Sequence, residues 1–112
     1  MIFVTGPLMA GKRTYIRAAL GLSREEFARR AVWDVQDLAA EAPDLTALAD
    51  GLSQHEIVIA TEVGGGLVPV DPAERAAREA AGRLACLLAR RADTVVRVVC
   101  GLPQVLKGEL PC

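Results

Sequence analysis

Cysteine is scarce in this chain. The three present, Cys86, Cys100 and Cys112, are an odd number with no Cys-x-x-Cys spacing. Neither a disulfide framework nor a thiolate zinc site is expected from them. Cys86 and Cys100 lie in apolar runs and are expected to be small buried thiols. Histidine is scarcer still. His55 is the single one, just before a strand, at the end of a parallel sheet opposite the usual ligand crevice. It is read as a surface loop residue. No apolar run approaches the roughly 20 residues of a membrane span. Neither charge is in excess: 13 Lys and Arg stand against 14 Asp and Glu, a formal net charge of −1. Sequence-independent nucleic-acid binders carry a basic surplus, so a nucleic-acid partner is not expected. A basic leader is lacking too, since Met1 runs straight into Ile2-Phe3-Val4-Thr5. A cytoplasmic location is the matching expectation.

What is present is apolar. Hydrophobic residues make up 52% of 112 residues and charged ones 24%. Disorder needs the opposite balance, and this length suits one domain over residues 1–112. Four runs read as strands: Ile2 to Thr5, Ala31 to Val35, Glu56 to Glu62 and Val95 to Cys100. Between them the period is helical. Lys12 to Leu20 precedes Gly21, and Ser23-Arg24-Glu25-Glu26 has the form of a capping box for a short helix to about Arg30. Apolar residues recur at three and four from Val35 to Leu52, with Pro43 dividing the stretch. Asp71, Pro72 and Glu74 open a helix to about Arg91. Its arginines and glutamates, Arg75, Arg78, Arg83, Arg90 and Arg91 with Glu74 and Glu79, read as a solvated face. Alternating strands and helices predict an α/β three-layer sandwich of the phosphate-loop NTPase type, with about four mainly parallel strands. The tail from Gln104 to Cys112 shows no strong period.

One loop carries chemistry. Gly6-Pro7-Leu8-Met9-Ala10-Gly11-Lys12 fits Gly-x-x-x-x-Gly-Lys, after a strand and before a helix. Glycines let successive N–H groups point at phosphate oxygens, the helix start adds partial positive charge, and Lys12 reaches the outer phosphates. Gly6, Pro7, Leu8, Met9, Ala10, Gly11, Lys12, Arg13 and Thr14 are therefore the nucleotide-binding candidates, for ATP or GTP. The motif asks next for a Ser or Thr hydroxyl on Mg²⁺. Arg13 stands there, and Thr14 comes one residue later, about 100° around the helix. Arg13 is positioned by sequence to meet a phosphate directly. Two acids end strands where ligands bind. Asp34 and Glu62 are candidates to hold Mg²⁺ or polarise an attacking hydroxyl. Lys12, Asp34 and Glu62 are the catalytic candidates, with Asp34 the metal candidate.

The most specific stretch is Ile57-Val58-Ile59-Ala60-Thr61-Glu62-Val63-Gly64-Gly65-Gly66-Leu67-Val68-Pro69. It resembles the strand, Asn-Glu-Val-Gly turn and Val-Pro of the adenosylcobinamide kinase / adenosylcobinamide-phosphate guanylyltransferase family of cobalamin synthesis. Ala81-Gly82-Arg83-Leu84 and Gly101-Leu102-Pro103-Gln104-Val105-Leu106-Lys107 are similar too, and Asp34 lines up with a family aspartate. The resemblance implies Mg²⁺-dependent phosphorylation of adenosylcobinamide by a nucleoside triphosphate, then GMP transfer through a guanylylated histidine. It also implies a corrinoid substrate and a homotrimer. This chain departs from that pattern. No histidine lies between Gly21 and Arg30, Arg13 replaces a serine, and Thr61 replaces the asparagine. Guanylyl transfer by the family's mechanism is not expected. The alternative reading is a non-catalytic nucleotide-binding or assembly module derived from that family.

Overall fold

The first apolar run lies at the middle of a sheet, where both faces need cover. The computed structural model describes residues 1–63 and 71–110. The expected glycine loop from residue 64 onward and Cys112 lie outside the described residues. Strand β1 (Ile2–Gly6) pairs in parallel with β3 (Ile57–Thr61) on one side and β4 (Thr94–Val99) on the other. Strand β2 (Ala31–Val32) adds in parallel to β3, and β5 (Leu102–Lys107) adds antiparallel to β4. The order is β2-β3-β1-β4-β5.

Alternation sends successive side chains to opposite faces. Val4, Ile57, Ile59, Val96 and Val98 face helices α1 (Lys12–Leu20) and α2 (Arg24–Arg30), meeting Ile16, Leu22 and Phe27. Phe3, Val58, Ala60 and Val95 face the other way. There they meet a 3-10 turn (Val35–Leu38), α3 (Leu45–Leu52) and α4 (Pro72–Arg91) through Val35, Ala49, Leu52, Leu84 and Leu88. Helices on both faces explain why the three central strands are almost wholly apolar. Burying each Leu or Ile contributes about 1.5–3 kcal/mol.

The helix boundaries at Ser23, Gly21 and Asp71 follow the expected caps, and Asp44 adds one not expected. Ser23 and Glu26 close a reciprocal capping box on α2. Asp44 accepts from the N–H groups of Thr46 and Ala47 at α3, and Asp71 accepts from Ala73 at α4. Gly21 ends α1 in the left-handed conformation, φ 64°. His55 is exposed in the turn before β3, as expected.

Three expectations need correction. The second strand is two residues long, not five, because Asp34 turns left-handed at φ 56° and opens the 3-10 turn. The tail contributes a fifth strand. Pro103 hides it from periodicity, yet β5 is an edge strand, where a missing N–H is tolerated. Cys86 and Cys100 are exposed. Cys86 lies about 200° around α4 from the buried Leu84, and Cys100 sits in the left-handed turn after β4 at φ 52°.

Candidate functional site

The carboxyl ends of β1 and β3 open onto a cavity of about 400 Å³. The turn from β1 begins at Gly6, and only glycine fits there. A Cβ on Gly6 would stand 2.2 Å from the Val98 carbonyl oxygen, at φ +152°. The neighbouring strands are thereby tied together: the Glu62 N–H donates to the Gly6 carbonyl at 2.8 Å. Gly11 starts α1 in the left-handed conformation, φ 86°, and no side chain caps that helix. Its first N–H groups lack the partners that a capped helix supplies. The loop is braced from β4 as well, since the Gly101 N–H donates to the Ala10 carbonyl at 2.8 Å.

Lys12 is the one charged residue buried among the described residues. Its Nζ reaches back across the loop and donates to the Pro7 carbonyl at 2.7 Å. An ammonium has three donors, so two remain for an oxyanion. Burial lowers the Lys12 pKa, and the charges of Asp34 and Glu62 oppose that shift. The three catalytic candidates therefore share one electrostatic neighbourhood.

Residues 8–14 all line the cavity, with Asp34, Thr61 and Trp33. Gly6, Pro7 and Glu62 do not line it; the Pro7 carbonyl accepts from Lys12 and the Gly6 carbonyl from the Glu62 N–H. Leu8 and Met9 form an exposed crest. Met9 and Asp34 both have positive φ, 59° and 56°. Such strain in non-glycine residues concentrates at functional sites.

Arg13 does not take the place of a hydroxyl. Its guanidinium lies over the Trp33 ring, 5.7 Å from the centroid, and Trp33 stacks in turn on Phe27 at 5.3 Å. Glu62 is clamped: Arg97 Nε and Nη2 donate to its two carboxylate oxygens at 2.5 and 2.9 Å. Those hydrogen bonds hold the Glu62 carboxyl below its usual pKa and raise that of Arg97. Asp34 makes no ion pair among the described residues.

No group of three or more His, Cys, Asp or Glu residues converges to hold a metal among the described residues. Mg²⁺ bound to a nucleotide needs less, often one carboxylate with phosphate oxygens and water. Asp34 fits that smaller role.

Two of these residues escaped the sequence. Arg97 interrupts Val95-Val96 and Val98-Val99, and a charge inside an apolar strand was the available signal. Gln36 fixes the end of β3, its Oε1 accepting from the Thr61 N–H at 2.9 Å, and left no signal.

A family model described as cobinamide kinase / cobinamide phosphate guanyltransferase matches residues 14–106. The match holds Asp34, Glu62 and Arg97; the loop through Arg13 precedes it. No curated protein matches the chain.

Proposed function

Because the chain belongs to the cobinamide kinase / cobinamide phosphate guanyltransferase family, we propose that it binds a nucleoside triphosphate and phosphorylates a cobinamide hydroxyl. The observation that carries this reading is the start of α1. A buried lysine arches over a glycine loop whose helix has no cap, and anions bind such helix starts. In this reading the fold is of the phosphate-loop NTPase type. Lys12 neutralises the outer phosphates and the N–H groups of residues 8–14 cradle them. The acceptor hydroxyl oxygen bonds to the terminal phosphorus as the bridging P–O bond breaks, and the nucleoside diphosphate leaves. Glu62 accepts a hydrogen bond from that hydroxyl and takes its proton as the new P–O bond forms; its clamped oxygens keep free lone pairs. Asp34 would hold Mg²⁺, whose chemistry is to bridge and neutralise the phosphates.

The test is calorimetric titration with ATP and with GTP, with and without Mg²⁺. Wild-type protein should bind, and Lys12→Ala should abolish binding. Unchanged affinity in Lys12→Ala would sink the assignment. Mg²⁺-dependent phosphorylation of adenosylcobinamide would complete it.

A second reading rests on Arg13 and Arg97. With Arg13 at the hydroxyl position and Glu62 held by a guanidinium, the pocket suits a module that keeps the nucleotide without turning it over. Metal-independent binding with no turnover would favour that reading.

A further inference from the structure

A second groove lies behind the first, between α1 and α2. It encloses about 380 Å³. Arg13, Arg17 and Arg24 line it, with Thr14, Phe27 and Trp33, and no carboxylate does. In a chain of formal net charge −1 this is a local concentration of positive charge.

Four of the arginines elsewhere are matched. Arg30, Arg83, Arg91 and Arg97 pair with carboxylates. The three in the groove form no ion pair among the described residues. Arg13 and Arg17 are also one helical turn apart, where like charges repel.

Two of the three are held in place. The Phe27–Trp33 stack carries the Arg13 guanidinium. Arg17 Nε donates to the Leu22 carbonyl at 3.0 Å, which leaves its two terminal nitrogens free of that bond. Arg24 approaches from the first turn of α2. Planar guanidiniums lining one groove can match the oxygens of a phosphate bidentately.

We propose that the groove between α1 and α2 binds a phosphomonoester dianion, independently of Lys12. A monoester carries about −1.5 to −2 charge at neutral pH, which two or three guanidiniums neutralise. A triphosphate would need the longer cradle of the neighbouring loop. The two sites share one wall, Arg13, Thr14 and Trp33, so each ligand would sense the other.

Trp33 is the single tryptophan and lines both the groove and the loop cavity, so its fluorescence reports a ligand at either, and the Lys12 and Arg24 variants tell which. The probe is phenyl phosphate, with inorganic phosphate and phenol as its two halves, and phosphorus NMR line broadening is the second readout. Saturable binding should persist in Lys12→Ala. Arg24→Ala should weaken it roughly tenfold, the loss of one charge-assisted hydrogen bond. Arg17→Lys keeps the charge but loses the fork, and should weaken it less. Because Arg17 also braces the turn after α1, the exposed Arg24 is the decisive position. Loss of binding in Lys12→Ala with full binding in Arg24→Ala would overturn the proposal, placing the monoester in the loop. So would the absence of saturation by either readout, or inorganic phosphate binding as tightly as the ester. Triphosphate binding in Arg24→Ala should be unchanged, so failure here stays separate from failure of the nucleotide reading.

Discussion

Helices α2, α3 and α4 each begin on a side chain that closes the first turn: Ser23, Asp44 and Asp71. Helix α1 begins on a left-handed glycine with no side-chain cap. The first three starts are satisfied within the chain. The fourth leaves its donors toward a cavity that also holds a buried ammonium. Capping makes a helix start stable by itself; an uncapped start facing a cavity gains its partner from a ligand. In the proposed reading, folding and binding are served by chemically different starts.

The largest break in this comparison is at the root of the loop. Gly6→Ala puts a methyl group 2.2 Å from the Val98 carbonyl oxygen. Forced strain and overpacking together should cost about 2–5 kcal/mol in denaturant unfolding. Gly82→Ala, the same change in the open interior of α4, meets nothing within 4 Å. It should stabilise by about 0.5–1 kcal/mol. A mild effect at Gly6 would mean that the strand end yields easily.

A ligand effect comes next. If α1 is completed by a triphosphate, ligand at about 100 times its Kd should add about 2.7 kcal/mol and raise Tm by roughly 10–20 °C. Lys12→Ala should lose that rise. A scan that shows equal rises in both proteins would move the ligand away from α1.

Removing a cap should do less. Ser23→Ala, Asp44→Ala and Asp71→Ala should each cost about 0.5–2 kcal/mol and leave triphosphate affinity unchanged. An affinity change in any of the three would show that folding and binding are not so cleanly divided.

The two kinds of start also differ in how they read in the sequence. Ser23-x-x-Glu26 and Asp71-Pro72 are local chemistry, so the caps were legible. So was Lys12, because the loop motif is contiguous. The contact across the sheet between Glu62 and Arg97 was not. Glu62 ends β3 and Arg97 sits on β4, and β1 lies between those strands. Their contact needs the strand order, which no local pattern encodes. Asp34 was legible as an acid after an apolar run. Its left-handed backbone, which cuts β2 to two residues, was not. The exposure of Cys86 needed the phase of α4, set by which leucines meet the sheet. Strand β5 was lost for another reason: as an exposed edge strand it has no buried face to impose a period.

The smallest effect concerns the Glu62–Arg97 clamp, a half-exposed pair in which screening is strong. Arg97 holds the Glu62 pKa below its usual 4.5 in the folded state. A carboxylate with a depressed folded pKa contributes stability that is present above its unfolded pKa. That contribution is lost as pH falls through the folded pKa. Wild-type protein should therefore lose some stability as pH drops below about 4.5 that Arg97→Gln does not lose; parallel curves would mean the clamp contributes nothing. At neutral pH the same variant makes a sharper point. Without Arg97 the Glu62 charge is no longer offset beside Lys12, so the Lys12 pKa should rise. An uncompensated carboxylate beside the phosphates should also weaken triphosphate binding. If binding instead stays unchanged while the acid limb flattens, Arg97 serves the fold alone, and the clamp belongs with the caps rather than with the start of α1.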